Sequence, residues 1–66
     1  GTAPADLQLL CSNAVQLSTG ADASTVLPVS SSQMDASNYE VILAIGAQRY
    51  RCIVNNDGLV KSVSPG

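Results

Sequence analysis

The sequence has no His, Trp or Phe, few charges and no long apolar run, and each absence excludes a class of structure or function. Without His, neither a His-based catalytic triad nor a His metal site can form. Three Lys and Arg residues against five Asp and Glu residues argue against a nucleic-acid arm or a polybasic membrane patch. No apolar run approaches the roughly 20 residues of a membrane span. We therefore expect no nucleic-acid partner and no membrane span.

The remaining reactive side chains form no catalytic pattern. Glu40 is the only Glu, and the Asp residues are scattered over the predicted helix start, loops and a turn. Ser30–Ser32 has no neighbouring base, and the G-x-S-x-G and phosphate-loop motifs are absent. Two cysteines without His and without C-x-x-C spacing indicate neither a zinc site nor a redox centre. We predict that the protein is not an enzyme and needs no cofactor or metal.

The 66 residues suffice for one small domain over positions 1–66, with a thin core. A chain this short buries only about 60% of the surface that its unfolded form exposes. Tyr39 and Tyr50 are the only aromatic residues, so Val, Leu, Ile, Ala and Met34 are expected to supply the core volume. Small domains with thin cores often depend on a covalent cross-link.

Residues 3–18 are predicted to form the only helix. Apolar residues recur there at helical spacing, with Leu17 close to the stripe; the stripe consists of Leu7, Leu10, Cys11, Ala14 and Val15. Pro4 is tolerated in a first turn, and Asp6 suits the positive end of the helix dipole. Gly20 is expected to end the helix, because Gly adopts the left-handed conformation readily.

The segment 21–38 is rich in Ser, Ala, Thr and Asp and is interrupted by Pro28. A strand is predicted at about 25–29, and it belongs at a sheet edge because Pro28 cannot donate a hydrogen bond to a neighbouring strand. Ser30–Ser32 is weakly specified as strand or loop. We interpret the segment as a connector with one edge strand. The alternative is a mobile binding loop, which high backbone mobility in relaxation data would favour.

Strands at about 39–45 and 49–54 are predicted to form a hairpin around the turn Gly46-Ala47, with Gly at its first central position. The predicted pairs are Ile45 with Gln48, Leu43 with Tyr50, Val41 with Cys52, and Tyr39 with Val54. This register places the large apolar residues on one face, which a helix could cover.

Asn55–Gly58 is predicted to be a second hairpin turn, with Gly58 at a bulge position. It contains Asp and Asn but does not match the spacing of a calcium-binding loop. A last strand at about 59–63 would follow, with Val60 inward opposite Val54.

Cys11 and Cys52 are the only cysteines, and each falls on the inward side of a different predicted element. We predict a disulfide that joins the helix to the sheet; the alternative is two buried free thiols. Closing a loop of roughly 40 residues is worth about 4 kcal/mol in the loop-entropy treatment. Because disulfides persist in oxidising compartments, we expect a periplasmic or secreted protein whose signal peptide has been removed. The predicted fold is α+β: one N-terminal helix on a three- to four-stranded antiparallel sheet, in the order α-β-β-β-β.

The three cations, Arg49, Arg51 and Lys61, share the parity of the sheet face opposite the helix. The same face is predicted to carry Glu40, Ile42, Ala44, Ile53, Leu59 and Val63. One interpretation is an ordinary solvated face whose cationic stems cover some apolar area. The other is a docking surface for a protein or peptide, or a homodimer contact. The candidate partner-binding residues are Arg49, Arg51, Ile53, Lys61 and Ile42.

From Cys11 onward the chain resembles a class of small secreted proteobacterial proteins that carry one Cys in the helix and one in the penultimate strand. The segment NYEVILAIGAQRYRCIVNNDGLVKSV has the form Y-x-V, short turn, Y-x-C-x-V, N-D-G, V-x-x-V. It is also similar to PepSY-type domains, whose strands end in a comparable V-D-x-x-G-x-V element. The matching residues are Val54, Asp57, Gly58 and Val60. The Cys pair and the short Ser-rich middle depart from PepSY domains.

PepSY-like domains are associated with peptidase propeptides and with protein regulation in cell envelopes. The resemblance therefore implies a peptidase or another envelope protein as the target. We expect a non-enzymatic, secreted or periplasmic protein-interaction module that uses the face of Arg49, Arg51 and Lys61. The alternative is a structural domain that forms a homodimer through that face. A small-ligand carrier is disfavoured, because a core this small leaves little room for a cavity.

Overall fold

A computed structural model describes residues 3–66 and shows one helix followed by a four-stranded antiparallel sheet. The elements are α1 (Ala5–Thr19), a short 3₁₀ turn (Ala23–Thr25), β1 (Leu27–Gln33), β2 (Asn38–Ile45), β3 (Gln48–Asn55) and β4 (Val60–Pro65). The strands lie side by side in sequence order. The predicted α+β class and its α-β-β-β-β order are thereby confirmed. Within the described residues, α1 included, no helix has the length and apolar character needed to cross a membrane.

Helix α1 packs on the sheet through Leu7, Cys11 and Val15, which recur every four residues and are buried. It ends at Gly20, where φ is +76° and the amide donates to the Gln16 carbonyl at 2.8 Å, as predicted. Leu17 is 88% exposed, so its predicted place close to the buried stripe is wrong. Six residues of helix turn through about 600°, which rotates Leu17 about 120° away from Cys11.

The two other predicted stripe residues, Leu10 and Ala14, lie at the border of this buried surface. Ala14 is half-buried, and Leu10 is partly exposed while its Cδ1 lies over Gly58. A Cβ on Gly58 would meet that methyl at 3.1 Å, and Gly58 itself has φ +84°. Glycine at this position therefore serves both the turn and the helix packing.

Strands β2 and β3 pair in the predicted register, from Tyr39 opposite Val54 to Ile45 opposite Gln48. Only the first residue of the connecting turn, Gly46, takes a positive φ, +58°. The strands alternate between two faces, so one set of side chains points to α1 and the other away from it. We call the side facing α1 the core face and the other side the open face.

Strand β1 is longer than predicted and extends through the serines to Gln33, whereas Thr25 belongs to the 3₁₀ turn. The serines become strand because they pair with Glu40–Ile42 of β2. The Ser31 hydroxyl accepts a hydrogen bond from the Ala3 amide at 3.2 Å and so ties β1 to the start of the helix. A bulge between Pro28 and Ser30 leaves Val29 without a partner, and the strand lies at the sheet edge as Pro28 predicts.

Strand β4 contains a second bulge, which corrects one prediction. Val60 lies opposite Val54 as expected, but the next pair is Ser62 with Ile53, so Lys61 is the extra residue. The register then places Val63 opposite Cys52, and Val63 packs against the core. Its predicted place on the open face is wrong because one extra residue reverses the alternation that follows.

Leu59, also predicted for the open face, precedes β4 and belongs to the turn. The Asn55 side chain shapes this turn, since its Oδ1 accepts hydrogen bonds from the amides of Asp57 at 3.0 Å and Leu59 at 2.9 Å. The Asn55 amide in return donates to the Leu59 carbonyl at 3.0 Å. The predicted turn is thus stabilised by its first residue.

The core is a thin layer of small aliphatic side chains closed by a disulfide between Cys11 and Cys52, which confirms the predicted bridge. Both cysteines are fully buried, and their Cα atoms are 5.8 Å apart. The buried cluster consists of Ala3, Leu7, Cys11, Val15, Val26, Val41, Leu43, Cys52 and Val54. Met34 does not contribute core volume as expected: it lies in the β1–β2 turn and is 47% exposed.

Candidate functional site

The open face of the sheet has no covering layer among the described residues, and its four strands differ in chemistry. By strand register it carries Leu27, Ser30 and Ser32 from β1, Glu40, Ile42 and Ala44 from β2, Arg49, Arg51 and Ile53 from β3, and Ser62 and Ser64 from β4. Val29, the unpaired residue of the β1 bulge, is exposed between Pro28 and Ser30. The arginines lie on β3, and β4 contributes only hydroxyl groups by register.

The aliphatic part lies over β1 and β2. Leu27 is 61% exposed and stands opposite Ala44, and Val29 is 51% exposed at the bulge. Ala44 itself is nearly buried between its register partners Leu27 and Arg49, and Ile42 is half-buried. The two exposed β1 side chains therefore supply most of the accessible apolar surface on this side of the face.

The cationic part lies along β3, but its two arginines are not equivalent. The Arg51 Nε donates to a carboxylate oxygen of Glu40, its diagonal neighbour on β2, in an ion pair. Arg49 is exposed, stands opposite Ala44 and forms no ion pair within residues 3–66. The positive charge that is free to meet a partner on β3 is consequently that of Arg49.

Lys61 occupies the bulge of β4 and lies closer to the Asn55–Gly58 turn than the arginines do. The pKa of Asp35, in the β1–β2 turn, is lowered chiefly by hydrogen bonds from the Asn38 side-chain amide, then by the Ser37 amide, with a smaller contribution from the charge of Lys61. Of the five predicted partner-binding residues, the register gathers Arg49, Arg51, Ile42 and Ile53 on the open face. Lys61 is the extra residue of the β4 bulge and has no register partner, although its neighbour Ser62 lies opposite Ile53.

A shallow cleft of about 400 Å³ lies where the C-terminal end of α1 meets the end of the sheet. Its lining residues are Ser18, Thr19, Tyr50, Val63, Ser64 and Pro65. None of them is charged, so the cleft offers hydroxyl groups and one aromatic ring but no group that would bind an ionic ligand strongly. Elsewhere in residues 3–66, no three His, Cys, Asp or Glu side chains come together as a metal site.

Two features of the open face escaped the sequence analysis. The predicted edge strand at about 25–29 includes Leu27 and Val29, but neither residue is assigned to a face of the sheet from the sequence. The Glu40–Arg51 ion pair was not foreseen either. The predicted β2–β3 register nevertheless indicates the ion pair, because that register makes Glu40 and Arg51 diagonal neighbours on one face.

No protein-family model matches the chain, and comparison with curated proteins and with solved structures finds no similar protein.

Proposed function

We propose that the chain is a non-enzymatic protein-interaction module of the periplasm or the extracellular space, and that the open face is its binding surface. The observation that carries this proposal is the row across β1, β2 and β3 in which exposed Leu27 and Arg49, which has no ion-pair partner within residues 3–66, flank buried Ala44. A solvated face of an antiparallel sheet normally carries polar side chains, whereas this face exposes Leu27 to water, and Val29 is exposed at the adjoining bulge.

The chemistry of the open face favours a protein or peptide as partner. Apolar side chains next to an Arg suit a partner that presents an aliphatic surface beside a carboxylate. The net charge of the chain is −2, which disfavours approach to an anionic membrane surface. The PepSY-like resemblance adds a peptidase or another envelope protein as the target of this surface.

The buried disulfide supports the location. Cys11 and Cys52 are both fully buried, and their bridge is the structural kind that persists in oxidising compartments. Since two thiols with no exposed surface are poorly placed for exchange with other proteins, we assign the bridge a structural role.

Affinity capture from an envelope extract tests the proposal when matched variants are compared. Arg49→Glu and Leu27→Asn alter the open face, while Met34→Asn changes an exposed apolar residue in the β1–β2 turn and serves as control. We expect a protein retained by the wild type and by Met34→Asn to be lost with both open-face variants. Retention of the same proteins by all four would contradict the proposal.

Charge reversal at Arg49 is a cleaner probe than reversal at Arg51. An Arg51→Glu variant would also break the ion pair with Glu40 and place two carboxylates together, so its effect mixes binding with stability. The alternative function, a structural domain that dimerises through the same face, predicts a symmetric dimer. Sedimentation at several protein concentrations tests it, because a chain that stays monomeric excludes it.

A further inference from the structure

The outer side of α1, turned away from the sheet, carries leucines rather than only polar residues. Leu9 is 62% exposed and Leu17 is the most exposed large apolar residue. Eight residues of helix turn through about 800°, so these two side chains project about 80° apart on the outward side of the helix. We call the surface formed by Asp6, Leu9, Leu10, Asn13 and Leu17 the outer helix face.

The outer helix face and the open face differ in charge. All three cations of the chain, Arg49, Arg51 and Lys61, lie in β3 and β4. Helix α1 has no Lys or Arg, and the charged residues of the helix and the 3₁₀ connector are Asp6 and Asp22. The two opposite sides of the molecule thus each combine exposed aliphatic side chains with charge, and the signs are complementary.

We propose that the outer helix face of one copy docks on the open face of a second copy. This inference rests on the proposed binding role of the open face and adds a second copy of the chain as a partner for it. The leucines of α1 would cover Leu27 and Val29 of the neighbouring copy, and Asp6 would lie on the side of its Arg49. The length of the helix matches the length of the sheet, because the 15 residues of α1 span about 22 Å and the eight residues of β2 span about 26 Å.

A symmetric contact fits the charges less well. In a symmetric contact two open faces, or two outer helix faces, meet with net charge of the same sign. The helix-to-sheet contact instead uses two different surfaces, so each copy keeps one free surface of each kind. Such a contact builds open stacks, or rings if the rotation between copies closes.

Two complementary variants test this geometry by sedimentation. Leu17→Lys places a cation on the outer helix face, against the cationic open face of the neighbour. Leu27→Asp places an acid on the open face, against the acidic helix. We expect the average molecular mass of the wild type to rise with protein concentration and to fall with added salt. Each variant alone should sediment as a monomer. A mixture of the two should associate again, because together they retain one intact pair of surfaces and their two altered surfaces carry opposite charges.

The controls are Met34→Lys and Met34→Asp, which make the same charge changes in the β1–β2 turn and should associate like the wild type. Leu9→Lys and Val29→Asp form a second pair if either first variant fails to fold, as judged by circular dichroism. Three results would overturn the inference: a wild type that stays monomeric, continued association of Leu17→Lys alone, or no association in the mixture. A monomeric wild type whose open-face variants still lose a captured protein would reject the second copy as partner and leave the proposed function standing.

Discussion

The two faces of the sheet are built from alternate residues of the same strands, yet they have different roles. On the core face Val41, Leu43 and Val54 are fully buried beneath α1. On the open face their neighbour Ile42 is only half-buried, although Ile is as apolar as any of them. The difference lies in the layer above, not in the residue type. Stability should therefore depend on one face and recognition on the other.

The largest effect should come from removing the bridge that holds α1 on the core face. We expect the double variant Cys11→Ala with Cys52→Ala to lose about 4 kcal/mol of unfolding free energy, since the bridge joins residues 41 apart. Urea unfolding followed by circular dichroism measures it. An unchanged midpoint would show that the aliphatic layer holds the helix without the bridge.

A pair of adjacent alanine substitutions compares the two faces directly. Leu43→Ala removes a fully buried side chain of the core face and should cost about 3 kcal/mol. Ile42→Ala, one residue away on the open face, should cost about 1 kcal/mol because its side chain is only half-buried. Equal losses of unfolding free energy for the two variants in urea would contradict the expectation that stability depends on the core face.

A smaller effect is expected when the ion pair of the open face is removed. Glu40→Gln abolishes the pair with Arg51, whose side chain is 48% exposed, and should cost about 0.5 kcal/mol or less. The loss should shrink at high salt. It also frees a second cation on the open face, so self-association should strengthen in sedimentation. Weaker association of the variant would mean that Glu40 itself takes part in the contact.

The smallest effect concerns the β1–β2 turn, outside both faces. The pKa of Asp35 is lowered by hydrogen bonds from the side chain of Asn38 and the amide of Ser37, so the ionised carboxylate stabilises the turn. This contribution is complete above the ordinary pKa of an unfolded Asp and is lost as pH falls through the lower folded value. Asp35→Asn should therefore slightly reduce the loss of unfolding free energy that occurs as the pH falls. A carboxyl titration by NMR that finds a raised pKa would refute the expectation.

The parts of the fold that follow local rules were predictable from the sequence. Alternation and the Gly46-Ala47 turn together set the β2–β3 register, because a slip by one residue would expose the whole apolar set. Gly20 and Gly58 marked the ends of the helix and of the second turn. The disulfide was predictable because the helical spacing and the strand alternation each place a cysteine on the inward side.

The parts that depend on neighbouring strands were not predictable. A bulge responds to the packing of the adjacent strand, and neither Val29 nor Lys61 differs in type from a regular strand residue. The bulge at Lys61 alone moved Val63 from the open face to the core. The exposure of Leu17 likewise runs against the expectation that leucines lie inside. The candidate surface was therefore located by its arginines and Ile42, but its most exposed aliphatic residues were missed.

The bridge between Cys11 and Cys52 also determines what one cut by a protease does to the protein. A single cleavage anywhere between the two cysteines, for example in the exposed connector around Ala23–Thr25, leaves both fragments joined through sulfur. The nicked product keeps its helix attached to β3. A cut in the Asn55–Gly58 turn lies beyond the second cysteine, so nothing covalent retains β4. Covalent retention of both fragments therefore holds for cuts between Cys11 and Cys52 and is lost for cuts beyond Cys52.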